Sequence, residues 1–161
     1  MSESAIEDAL VNRLDEDRQR NALAFAAFCA SSQIELRELV ENYWGLYYRE
    51  EGAGCIGLKD DSWFFVPGMN YSDDWEYYLR NEGLTEAVWA NVQPCSACQD
   101  CAPGKNMTIL GKEFTGICQC VFMFWNPNDT ALDCAKKILI KSLQLIAAKK
   151  TEVLMQGEKD A

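Results

Sequence analysis

Hydrophobic positions recur at helical spacing at the start of this chain, at strand spacing in its middle and at helical spacing again at its end. Ser4 and Glu7 form a capping box with Ser4 as N-cap, and Ile6, Leu10 and Leu14 stand at helical spacing after that cap. A second helix is predicted over 16–30. Ala24, Ala27, Phe28 and Ser31 give it one face, Phe25 and Cys29 widen that face, and Cys29 reads as a core residue. Short runs of β-favouring residues then occupy 34–40, 43–48, 53–58 and 63–66. Asn42, Glu50-Glu51-Gly52 and Lys59-Asp60-Asp61-Ser62 separate them. Turn residues at this spacing predict an antiparallel meander of three or four strands, ended by Pro67-Gly68.

Short helices are predicted over 73–81 and 84–91, with Gly83 between them and Pro94 stopping the second. Strands follow at 108–110 and 117–125, and Asn126-Pro127-Asn128-Asp129 breaks the chain again. Thr130 with Asp133 then opens a long helix that reaches about residue 149. Leu132, Ala135, Leu139, Leu143 and Ile146 make its buried stripe, and Lys149 and Lys150 suit its negative end. Residues 151–161 read as a flexible tail. There is no repeat and no Pro- or Gly-rich linker. The expected fold is one α+β domain over 1–150. It has an antiparallel meander packed against helices, a Cys-rich insert at 94–120 and a long C-terminal helix.

Composition narrows the function. With 48% hydrophobic residues among 161, the chain builds a core without help from a metal. A net charge of −10 makes it a poor ligand for nucleic-acid phosphates or anionic membranes, so neither is an expected partner. The acidic N-terminus lacks the basic-then-apolar pattern of a signal peptide, and the apolar stretch at 22–30 is too short to span a bilayer. The expected location is the cytoplasm. In a reducing compartment the eight cysteines read as metal ligands, core residues or reactive thiols before disulfides.

Five of them form the sharpest chemical signal. Cys95, Cys98 and Cys101 recur every third residue, and Cys118 and Cys120 follow. A thiolate-held ion at this density is Zn²⁺ first, through a compact knuckle favoured by Pro94 and Pro103-Gly104. With no histidine in the chain, a four-thiolate site would use Cys95, Cys98, Cys101 and one of Cys118 and Cys120. An iron–sulfur cluster is the alternative cofactor, since the first three positions match the bacterial ferredoxin run. Lys105 stands where that run needs its fourth cysteine. Ordinary thiols without metal are the third reading.

The remaining signals are weaker. Gly52-Ala-Gly54-Cys-Ile-Gly57 matches a dinucleotide fingerprint, but a turn and a strand follow it where a helix is required. It reads as a glycine-rich strand. Trp44 and Tyr48 share one side of a strand and Tyr43 and Tyr47 the other, so either both faces are covered or one lines a pocket. Trp44, Tyr48, Gly54, Gly57, Trp63, Tyr71 and Trp75 are the candidate ligand-binding residues, with the two glycines giving the pocket depth. Asp73, Asp74, Glu76, Glu82 and Glu86 lie near predicted helix starts, where the helix dipole accounts for them. The absence of histidine excludes Ser-His-Asp and Cys-His catalysis, and nothing else points to an enzyme. The expected function is a non-catalytic regulatory module that binds a small molecule or a protein partner and is stapled by zinc. An iron–sulfur redox protein and a metal sensor or buffer are the alternatives. The lysine-bearing last helix also permits a homodimer.

Overall fold

Four consecutive strands form the meander that the turn spacing predicts. The computed structural model describes residues 4–92, 103–117 and 122–157. Helices α1 (Ser4–Arg13) and α2 (Glu16–Ser31) precede strands β1 (Glu35–Val40), β2 (Tyr43–Tyr48), β3 (Glu51–Lys59) and β4 (Ser62–Pro67). Helices α3 (Asp73–Asn81) and α4 (Thr85–Ala90) come next, then strands β5 (Lys105–Ile109), β6 (Lys112–Ile117) and β7 (Phe124–Trp125), and finally α5 (Asp129–Gly157). The main sheet is antiparallel in the order β1-β2-β3-β4-β7, and β5 and β6 form a separate hairpin. The chain is thus an α+β domain with a long C-terminal helix.

Strand alternation sorts the aromatic residues onto two faces. Trp44 and Leu46 of β2, Ile56 and Leu58 of β3, Trp63 and Phe65 of β4 and Phe124 of β7 belong to the main core. Phe25 of α2 packs on this face, with ring centroids 4.7 Å from Phe65 and 5.9 Å from Trp63. Tyr43, Phe64 and Trp125 lie side by side on the opposite face, at centroid distances of 5.5 and 4.7 Å, with Val66, Met123 and Cys55 beside them. Both faces of the central strands therefore bury aromatic surface. The G-x-G-x-x-G match lies within β3, as a glycine-rich strand.

The strand expected over 117–125 appears as the last residue of β6 and the two-residue β7, residues 118–121 lying outside the described ones, and three further elements differ in detail from the sequence pattern. The buried face of α2 is Ala22, Phe25, Ala26 and Cys29, while Ala24, Ala27 and Ser31 are exposed. In an alanine-rich helix several apolar stripes compete, and the one carrying Phe25 takes the sheet. Helix α5 is capped by Asn128, whose Oδ1 accepts the Ala131 N–H at 2.9 Å, so the cap lies two residues before Thr130. It also runs on to Gly157, because 150–156 contains neither glycine nor proline. The third difference is the β5–β6 hairpin, which turns on Leu110 and Gly111. Both have positive φ (52° and 83°), as a two-residue hairpin turn of this hand requires.

Candidate functional site

The five candidate metal ligands, Cys95, Cys98, Cys101, Cys118 and Cys120, lie outside the described residues. Their flanks are within them. Val92 makes an antiparallel bridge to Phe122, and Lys105 pairs with Ile117 at the open end of the β5–β6 hairpin. The chain therefore leaves and re-enters both cysteine-bearing segments through the same two paired points. Gly104 reinforces the second point: a Cβ there would lie 2.5 Å from the Gly116 backbone, so only glycine admits this approach. Among the described residues no group of three or more Cys, Asp or Glu side chains is placed to hold a metal.

The hairpin that carries these flanks is held at its tip. Ile109 and Leu110 are buried, the Trp89 indole N–H donates to the Ile109 carbonyl at 2.9 Å, and the Leu110 N–H donates to Tyr71 Oη at 3.0 Å. Tyr71 in turn donates to Glu76 at 2.9 Å, and Arg80 donates to the other oxygen of Glu76 at 2.8 Å. Burial pushes the Tyr71 hydroxyl up to about 12, opposed by the Leu110 N–H. The Arg80 guanidinium, then the Tyr71 hydroxyl, hold the Glu76 carboxyl below its usual range. The candidate ligand residue Tyr71 and the acidic residue Glu76 are thus parts of one structural clamp.

The other candidate ligand residues are distributed through the fold. Trp44 and Trp63 belong to the main core, and Trp63 Nε1 is buried with no hydrogen-bond partner among the described residues. The space left by Gly57 is filled by the Phe64 ring, and a Cβ on Gly54 would lie 2.5 Å from the Val66 carbonyl. Tyr48 is partly buried at the end of β2 beneath the Arg49 guanidinium, 5.1 Å from the ring centroid. Trp75 lines a groove of about 400 Å³ together with Tyr77, Tyr78, Lys141 and Leu145. Cys29 and Cys134 are deeply buried, which pushes both thiols up to about 12 and leaves them unreactive.

A larger groove, about 580 Å³, opens where α5 passes the end of the sheet. Leu145, Ile146, Val153 and Leu154 supply its apolar wall, Glu51, Gly68 and Asn70 lie across from them, and Lys149 and Lys150 stand at its rim. The Lys150 ammonium donates to the Arg49 carbonyl, tying α5 to the β2–β3 turn. The two grooves share Leu145. Sequence reasoning stopped the helix at 149 and missed this surface. The signal was a seven-residue repeat, Leu132, Leu139, Ile146 and Val153, that runs past the expected end on a single helical stripe.

Comparison with known proteins found no matching family model, no similar curated protein and no matching solved structure. Among the described residues no helix is long and apolar enough to cross a membrane.

Proposed function

We propose that this chain is a non-catalytic binding module whose ligand sits in the groove beside α5, and that a zinc ion held by four of Cys95, Cys98, Cys101, Cys118 and Cys120 staples the segments next to the β5–β6 hairpin. The groove carries the reading. It is apolar, open and of ligand size, and it lies on an element whose exposed residues Val153 (61%) and Leu154 (72%) do nothing for the core. The zinc rests on the spacing of the thiols and on the paired backbone at both ends of their segments. A closed four-thiolate site performs no chemistry of its own, so binding is the role left for the rest of the molecule.

The groove is tested with the apolar dye anilinonaphthalene sulfonate. Its fluorescence should rise on the native protein and fall back for Leu145→Asp, while the melting temperature is kept. Equal dye binding by both proteins would remove the groove from the proposal. The metal is tested by elemental analysis and a visible spectrum on protein purified without oxygen. About one zinc per chain without colour, lost in Cys98→Ser together with melting temperature, is expected. Iron with sulfide and a brown colour would put the redox reading in its place.

A further inference from the structure

We infer that the occupant of the α5 groove is an acidic amphipathic helix of a partner protein, laid alongside the C-terminal turns of α5. This rests on the groove being the binding surface, as proposed above. The inference begins with the stripe. Leu132 and Leu139 are buried against the body and Ile146 is half-buried, whereas Val153, the fourth member of the same repeat, is 61% exposed. A stripe with seven-residue spacing presents one straight seam, which is the surface another helix packs against. Residues Thr151 to Gln156 are all exposed, so roughly 9 Å of helix, at 1.5 Å per residue, projects with its seam uncovered.

Charge decides what covers it. Lys149 and Lys150 fall between Ile146 and Val153, three and four residues from each, and so stand on both sides of the seam. Neither is ion-paired among the described residues. This end of α5 and the adjoining turn hold Lys149, Lys150 and Arg49 against Glu50, Glu51 and Glu152, and Glu50 is already paired with Arg37 at 2.9 Å, in a chain with 15 basic and 25 acidic residues overall. A helix with an apolar ridge flanked by carboxylates matches that arrangement, ridge to seam and carboxylate to ammonium. A second copy of this chain matches it less well. Antiparallel pairing of two α5 seams with Ile146 against Val153 would set the lysine pairs of both copies against each other. The neighbouring groove is lined by Asp74 and Glu82 against Lys141 alone, which favours an acidic partner at the Lys149–Lys150 end.

The test uses two labelled designed helices that share an apolar ridge of leucines, one flanked by glutamates and the other by lysines, read by fluorescence anisotropy on the full chain. The glutamate helix should bind about tenfold more tightly than the lysine helix, with an affinity that falls as salt is raised. The double variant Lys149→Glu/Lys150→Glu should reverse that preference. Val153→Asp should abolish binding of both at an unchanged melting temperature, since Val153 supports nothing beneath it. Equal affinity for the two helices, or a preference that the double variant leaves in place, would overturn the inference. Binding of neither helix would also overturn it. In that case dye binding still sensitive to Leu145→Asp would leave the groove as a small-molecule site, and its absence would take the binding module down as well.

Discussion

Tyr71 and Leu110 join parts of the chain 39 residues apart: the Leu110 backbone N–H, buried at the tip of the β5–β6 hairpin, donates to the Tyr71 hydroxyl at 3.0 Å. The turn leaves this N–H outside the hairpin's own ladder, so the hydroxyl is its partner. Tyr71→Phe removes that partner and keeps the ring, which packs edge-on against Phe122 at 6.1 Å. The expected cost is about 1–3 kcal/mol, the range for leaving a buried donor unsatisfied. Chemical denaturation measures it, and amide exchange at Leu110 and Ile109 should speed up more than exchange in β2 and β3. Uniform acceleration across the sheet would mean that Tyr71 supports the whole core rather than the hairpin.

Gly57 and Phe64 are a cross-strand pair in which the ring lies over the glycine. A Cβ at 57 would meet ring carbons at 2.8 and 3.0 Å, too close for any real contact. Phe64 is held on its other sides by Tyr43 and Trp125 and has little room to retreat. Gly57→Ala should therefore destabilise the protein by about 1–3 kcal/mol, as overpacking does. Adding Phe64→Leu should recover part of the loss, a coupling that a double-mutant cycle reads directly.

The meander was legible in the sequence because its turns are punctuated by Asn42, Glu50 and Asp60, each of which adopts positive φ. Helix α3 was legible to the residue, since its aromatic and acidic positions alternate at helical spacing. The β5–β6 hairpin was only half visible. Its β6 strand, Lys-Glu-Phe-Thr-Gly-Ile, alternates weakly, and its turn uses Leu110 where Asn or Asp is the usual signal. The glycines of β3 suggested depth for a ligand, but an empty Cβ position is equally a seat for a neighbouring ring, and only the register with Phe64 decides between them. The groove beside α5 was hidden by a rule about chain ends: charged, unpunctuated residues near a terminus read as a tail, although they are good helix formers.

Asn126, next after β7, extends the pairing of β7 with β4 through its backbone and side chain. Its N–H donates to the Trp63 carbonyl at 2.9 Å, its Oδ1 accepts the Trp63 N–H at 3.0 Å, and its Nδ2 donates to Ser62 Oγ at 3.0 Å. It also adopts φ 39°, which asparagine tolerates better than most residues. Asn126→Ala leaves the Trp63 N–H unpaired in the core and should cost about 1–3 kcal/mol. Asn126→Asp keeps the acceptor for that N–H but loses the donor to Ser62. It should retain more stability than the alanine variant in thermal melts, and equal losses would show that the acceptor is not what matters.

Stability should fall at alkaline pH from about pH 9. Burial raises the thiols of Cys29 and Cys134 from 9.0 to about 12 and the Tyr71 hydroxyl from 10.0 to about 12. Between those limits the unfolded chain has released protons that the folded chain still holds, so raising the pH favours unfolding. The stabilisation is complete below pH 9 and is lost as pH climbs towards 12. Thermal melts at stepped pH test this, and Cys29→Ala with Cys134→Ala should flatten the decline most between pH 9 and 10, where the unfolded thiols have released more of their protons than the unfolded tyrosines have. An unchanged slope in that double variant would place the alkaline sensitivity elsewhere.

A stop codon after Lys150 separates the fold from the groove. Among the described residues the last tie between α5 and the body is the Lys150 ammonium on the Arg49 carbonyl, and residues Thr151 to Gln156 are all exposed. Truncation there removes helix that rests on nothing, so unfolding free energy should change by about 0.5 kcal/mol or less, as for surface changes in general. It also removes Val153 and Leu154, half of the apolar wall, so dye and peptide binding should drop sharply. A loss of several kcal/mol would instead show that the overhang is needed to hold Ile146 and Leu143 in place. Its exposed apolar residues would then belong to the stability of the fold rather than to a partner.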